Sequence, residues 1–292
     1  MQPVVPEAPL TRESLRDQLH VWIARPENFR SDAALARYRS WLSDEELARA
    51  DRYMVAGDRH LFLIAHALLR STLSRYDARA PGQWQFTAAD NGRPAIAKAG
   101  PARIGFNLSH TPGLVACIVS DEIDCGVDVE GLGRVSDPRG LARRYFSRIE
   151  CDDLDRLSDK NVDARFVEYW TLKEAYVKAR GLGLELPLDG FHMVLGRGAP
   201  IRIAFHAPSH ARAASPPLVG RQPSTADVEV AGAEDRAERR PSESEVAGVL
   251  DDAESWQFDQ WRPSRDHVLS IAARRRGRRL RDVIQREVQP AP

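Results

Sequence analysis

Asp128 and Glu130 stand two residues apart in Gly126-Val-Asp-Val-Glu130, and on an extended chain such residues project from one face. They fit two readings: a pair of hard oxygen donors within reach of one cation, or the solvated face of an edge strand whose other face is Val127 and Val129. Trp170-Thr-Leu-Lys-Glu174-Ala-Tyr-Val-Lys178 spaces Trp170, Glu174 and Lys178 four apart along one helix face. Glu174 is then either a third carboxylate for the same cation or half of a surface ion pair contributing ~0.3–0.5 kcal/mol. Asn107-Leu-Ser109-His110 reads as a strand entering a turn. There, backbone N–H groups, a hydroxyl and an imidazole either converge on an anion or form a hydrogen-bonded loop.

These residues need elements to hold them. Ser43-Asp-Glu-Glu46 fits a reciprocal N-terminal cap, so a helix starts there. Leu61, Ile64, Ala65, Leu68, Leu69 and Leu73 carry the period of a second helix. Trp84 and Phe86, the Asn91-Gly92 turn, then Pro94 and Ile96 predict a β-ribbon. Ile104, Phe106 and Leu108 alternate with polar or small residues, and Thr111-Pro112-Gly113 turns the chain into the apolar run Leu114 to Val119. Residues 126–130 then read as the third strand of a meander. Helical patterns cover 141–157 and 166–180, with Gly181 and Gly183 as stops. Residues 207–254, rich in Ala, Pro, Ser, Glu and Arg, predict a disordered insertion. Trp256 to Trp261 and His267 to Ala273 read as strands of a hairpin which that insertion interrupts. The fold class is α+β.

The chain has 292 residues, room for two modest domains, and its 42 basic and 42 acidic residues sum to zero net charge. No global field steers it toward nucleic acid or membrane, and no apolar run approaches the ~20 residues that span a bilayer. The arginines between 274 and 281 read as a solvated basic tail. The start, with Glu7 among Pro3, Pro6 and Pro9, lacks the pattern of a signal peptide, so a cytoplasmic protein is expected; a monomer is the expected state. Cys117, Cys125 and Cys151 follow no metal-ligand spacing and read as buried small apolar residues.

Taken in order, Asn91-Gly-Arg-Pro94, Phe106-Asn-Leu-Ser-His110, Gly126-Val-Asp-Val-Glu130, Tyr145-Phe-Ser147 and Trp170-Thr-Leu-Lys-Glu-Ala175 resemble the successive motifs of the 4′-phosphopantetheinyl transferases, in the two-half, Sfp-like class. The resemblance implies a pseudo-symmetric pair of α+β halves, residues 1–125 and 126–292, with coenzyme A and Mg²⁺ in the cleft between them. By the same resemblance Asp128, Glu130 and Glu174 are the metal acids, and Lys178 lies near the coenzyme A phosphates. Arg93, Ser109 and His110 match positions that contact coenzyme A, with Arg in place of the frequent Lys at 93.

The implied reaction is attack by a serine of an acyl or peptidyl carrier protein on the pantetheine-side phosphorus, releasing 3′,5′-ADP. Glu174 is the preferred base, with Glu130 or a metal-bound hydroxide as alternatives. The family often carries basic residues on the helix after the Ser43 cap to hold the 3′-phosphate. Glu46 occupies one such position, and Arg49 and Arg52 are the compensating candidates. Two rivals remain: a non-catalytic module that binds carrier or coenzyme A, and a hydrolase that splits coenzyme A with water.

Overall fold

The computed structural model describes residues 11–88, 94–97, 104–121, 124–181, 186–196, 198–206, 251–277 and 279–289. The architecture is mixed α+β. Strand β1 (Gln18–Ala24) opens the first part, followed by helices α1 (Asp32–Arg39), α2 (Asp44–Arg52) and α3 (Ala56–Leu73). A short antiparallel ribbon, β2 (Phe86–Ala88) with β3 (Pro94–Ile96), precedes the hairpin β4 (Ile104–Thr111) and β5 (Leu114–Asp121). The second part begins with β6 (Cys125–Gly131) and continues through α4 (Pro138–Tyr145), α5 (Arg148–Asp155) and α6 (Asp159–Arg180). Another ribbon, β7 (Phe191–Gly196) with β8 (Ala199–Phe205), is followed by β9 (Trp256–Ser264), β10 (His267–Arg274) and β11 (Asp282–Glu287).

Two sheets carry the fold, in the orders β11-β1-β5-β4 and β6-β10-β9. Period-two alternation explains the continuous apolar run of β5: Val115, Cys117 and Val119 pack under α3, whereas Leu114, Ala116 and Ile118 face the other sheet. Val127, Val129, Leu269 and Ile271 meet them from the second sheet, so the inter-sheet layer is apolar. A separate core surrounds α6, with Phe146, Phe166, Trp170, Tyr176 and Trp256.

The helices expected from the Ser43 cap, from the 61–73 period and from 166–180 form, and the 141–157 pattern is divided between α4 and α5. Ser43 caps α2 in both directions, with Glu46 N donating to Ser43 Oγ at 3.3 Å and Ser43 N donating to Glu46 Oε2 at 2.8 Å. Gly181 ends α6 in the left-handed region at φ 67°. The strands of the expected ribbon pair, though its Asn91-Gly92 turn lies outside the described residues.

Several expectations are corrected. β6 is not the third strand of a meander: it leaves the first sheet and pairs with β10. β4 continues through Thr111, so Ser109 and His110 end the strand as expected, and Thr111, expected in the turn, is its last strand residue. The segment before β9 does not interrupt a hairpin, because β8 pairs with β7 and β9 with β10. Of the expected disordered stretch, 207–250 lies outside the described residues, and Asp251–Glu254 are ordered. Asp251 there accepts from Arg180 Nη1 and Trp256 Nε1, each at 2.6 Å. The basic tail is not simply solvated, since β11 runs parallel to β1 and Arg281 is buried, donating to Leu15 O at 3.3 Å. Cys117 and Cys125 are buried as expected, whereas Cys151 is half-buried. Among the described residues no helix is long and apolar enough to cross a membrane.

Candidate active site

β4 and β6 are edge strands of different sheets, brought side by side with side chains in place of a backbone ladder. Asn107 Oδ1 accepts from Val127 N at 2.9 Å and Ser109 Oγ accepts from Val129 N at 3.3 Å. Two edge N–H groups are thereby satisfied without merging the sheets. Asn107, Ser109 and Thr111 alternate on one side of β4, and for that reason the Asn-Leu-Ser spacing suits a strand's N–H repeat.

Helix α6 lies against β6 at unusually short range. A Cβ built on Gly126 would overlap the Ala175 carbonyl oxygen and stand 2.6 Å from Ala179 N, so glycine is what permits the approach. Thr171 of α6 bonds Ser270 of β10 at 2.7 Å, and Gln260 of β9 donates to Ser270 Oγ at 2.8 Å and to Glu168 O at 2.9 Å. These contacts fix the helix's rotation over the sheet. Trp170 packs into an aromatic cluster with Phe166 and Phe146.

The close approach delivers Lys178 to the seam. Its Nζ lies 2.7 Å from Asp128 Oδ1, 3.2 Å from Ser109 Oγ and 3.4 Å from Val127 O. Ser109 donates to the same Asp128 oxygen at 2.9 Å. Three residues read from three separate motifs therefore meet at one point, with Asp128 fully buried and the Lys178 side chain 19% exposed. The other oxygen, Asp128 Oδ2, is buried and has no hydrogen-bond partner among the described residues. A buried carboxylate oxygen left unpaired is costly unless a cation or donor completes it.

Glu130, two residues along β6, and Glu174, one turn before Lys178, are both half-buried; His110, beside Ser109, is buried. Among the described residues no three His, Cys, Asp or Glu side chains close into a metal cage. Such a cage is not what Mg²⁺ asks for, since that ion keeps waters and takes substrate phosphates alongside one or two carboxylates. The unpaired Asp128 oxygen and the all-oxygen set fit it.

Arg93 lies outside the described residues. Arg49 stacks its guanidinium 5.7 Å over the Phe62 ring, and Arg52 is exposed on α2. Glu46 does not face a ligand as a phosphate-binding basic residue would. It accepts from His66 Nδ1 at 2.9 Å and Arg70 Nη2 at 2.6 Å, tying α2 to α3. Burial pushes its pKa up, but the His66 hydrogen bond and the nearby cations outweigh this and hold it at about 2.

The spacing rules passed over Gly126, Lys173 and His267. A glycine opening a strand that also carries a buried acid was the available signal for the first. Lys173 is fully buried and bonded to Glu150 Oε2 at 2.8 Å and to the Leu188 and Phe191 carbonyls at 2.7 Å each. It therefore supports α6 without taking part in the β4–β6 seam.

A family model described as the 4′-phosphopantetheinyl transferase superfamily matches residues 124–218, which include β6 and α6. The chain is 36% identical over 174 residues to the 4′-phosphopantetheinyl transferase HetI of Nostoc sp. (strain PCC 7120), covering 58% of this chain and 71% of that one. It is 30% identical over 177 residues to the 4′-phosphopantetheinyl transferase Sfp of Bacillus subtilis (strain 168), covering 60% and 77%. A third relative, ffp of Bacillus subtilis, is 31% identical over 175 residues, covering 60% and 75%. With a seam that joins the expected serine, aspartate and lysine, and with relatives matched over most of their length, the chain belongs to the 4′-phosphopantetheinyl transferase superfamily.

Proposed function

We propose that the protein transfers the 4′-phosphopantetheine arm of coenzyme A to a serine of an acyl or peptidyl carrier protein, releasing 3′,5′-ADP. The observation that carries this reading is the meeting of Ser109, Asp128 and Lys178 across two sheets, with one buried Asp128 oxygen unpaired. A pyrophosphate needs fixed positive charge and hydrogen-bond donors, and phosphoryl transfer leaves little covalent work beyond positioning. Coenzyme A lies across the β4–β6 seam in this reading, with Ser109, His110, Arg93, Arg49 and Arg52 as its contacts.

The fold supports a two-half plan. Each part runs strand, helices, short ribbon and hairpin, and the orders β1-β5-β4 and β6-β10-β9 correspond, with β11 added to the edge of the first sheet. Residues 1–125 and 126–292 are the two halves of this plan.

Asp128, Glu130 and Glu174 would hold Mg²⁺, directly or through the waters that ion keeps, and the ion would supply charge neutralisation for the pyrophosphate. Lys178 donates to a phosphate oxygen while remaining within reach of Asp128. Glu174 takes the proton of the carrier serine as its oxygen bonds to phosphorus and the bond to the bridging oxygen breaks. The electron pair leaves on 3′,5′-ADP. The working state is a cytoplasmic monomer whose partners are the carrier and coenzyme A, with no nucleic acid or membrane required.

Intact-mass spectrometry of apo carrier proteins incubated with the protein, coenzyme A and Mg²⁺ tests the reading. A gain of one phosphopantetheine group supports it. Release of 3′,5′-ADP without a carrier would make the protein a hydrolase, and coenzyme A binding without either product would make it a binding module.

A further inference from the structure

We propose that His267 is a positioning residue for coenzyme A binding, holding the outer end of the β4–β6 seam at its working width. The inference rests on the reading that coenzyme A lies across that seam. Asn107 and Ser109 fasten the seam along its length, but they end before its outer tip. There the turn between β9 and β10 reaches over both strands. On one side Asp266 O accepts from Leu132 N at 2.8 Å, and His267 pairs in register with Gly131, the residue after Glu130. On the other side His267 Nε2 lies 2.9 Å from the carbonyl oxygen of Pro112, two residues after His110.

The imidazole is held in one tautomer by its partners. Pro112 offers only an acceptor, so Nε2 carries a proton, and in the neutral ring Nδ1, 2.8 Å from Ser264 Oγ, is the acceptor. The fit is close. Gly113 takes φ 89°, and a Cβ there would stand 3.2 Å from His267 Cε1. The turn following His110 thus needs glycine both for its conformation and for the ring beside it. His110 and Glu130 come from different sheets, and His267 is the side chain that spans their following residues. Without that bridge the turn after His110 loses its tie to β10, and a ligand bound by both strand ends must first restore their spacing.

Coenzyme A titrations by calorimetry into the parental protein and into His267→Ala, His267→Asn and His267→Gln test this. Gln carries an amide N–H to the place of Nε2, whereas Asn ends near Nδ1. The expected result is a fivefold to tenfold weaker Kd in Ala and Asn, about the worth of one lost hydrogen bond, with recovery in Gln. At saturating coenzyme A the transfer rate stays within about twofold in all three, giving a KM effect without a kcat effect. Parental affinity in the Ala variant, or failure of Gln to recover what Ala loses, overturns the proposal. If parental protein transfers to a carrier yet all three variants match its affinity, the positioning role fails alone. Absence of coenzyme A binding in the parental protein would defeat the underlying site reading instead.

Discussion

Helix α6 carries two lysine–carboxylate pairs five residues apart, and they do opposite things. Lys173 has three donors and three acceptors: Glu150 Oε2 and two main-chain carbonyls. Glu150 is equally complete, accepting also from Ser147 N, Ser147 Oγ and Met193 N. Both side chains are wholly buried, and burial pushes the Lys173 pKa down while Glu150 pulls it back. The Lys178–Asp128 pair is as short, yet its lysine reaches solvent and one carboxylate oxygen is unpaired. Chemical identity does not distinguish the two pairs. Completeness does: the closed pair holds α5, α6 and β7 together, and the open pair leaves a buried Asp128 oxygen unpaired among the described residues beside a lysine that reaches solvent.

Breaking the closed pair gives the largest expected effect. Lys173→Ala strands Glu150 in the core, and unfolding by denaturant should show a loss of about 3–5 kcal/mol. Lys173→Met with Glu150→Leu sharpens the point by removing both charges. That double variant should recover most of the loss, because the cost lies in the orphaned charge rather than in the absent bond.

The open pair should respond in the other currency, activity. Asp128→Asn keeps an acceptor for Ser109 and Lys178, so stability changes by about 1 kcal/mol, while transfer falls roughly a hundredfold or more. A carrier mass-shift time course beside a thermal melt checks both. Glu174→Ala should show the same pattern, and parental transfer in either folded variant would contradict the metal assignment.

A smaller effect belongs to the ion cluster between α2 and α3. Glu46, with its pKa held at about 2 against an ordinary 4.5, binds fewer protons folded than unfolded between those values. Its stabilisation is therefore full above pH 4.5 and lost as pH falls toward 2. Stability measured across that interval should fall less steeply in Glu46→Gln. The smallest effect is expected from replacing residues 207–250 with a short Gly-Ser turn while keeping Asp251, which anchors to Arg180 and Trp256. Melting temperature and transfer rate should hold, since loop-closure entropy changes slowly with length.

The local rules were sound where one segment decides its own structure. Ser43 and Glu46 form the reciprocal cap, and the alternation of Ile104, Phe106 and Leu108 forms β4, whereas Asn107, Ser109, Asp128 and Lys178 meet only through the tertiary fold. Pairing across the chain was not legible in the same way. Val127 and Val129 alternate as a strand must, but nothing within β6 tells that its partner is β10 rather than β5. β11 was concealed for a related reason: Val283 and Ile284 follow a run of arginines, and only the distant β1 gives them a parallel neighbour. Glu46 read as a misplaced charge because its partners, His66 and Arg70, lie on the next helix.

In the proposed site Asp128 Oδ2 is kept for a cation that arrives with a phosphate ligand. Calorimetric titration of coenzyme A into parental protein and Asp128→Asn, each with and without Mg²⁺, measures that directly. The parental protein should bind at least about tenfold more tightly with Mg²⁺, a gain of roughly 1.4 kcal/mol, and the variant should show no such gain. An equal Mg²⁺ enhancement in Asp128→Asn, folded as judged by its melt, would contradict the claim and move the cation elsewhere.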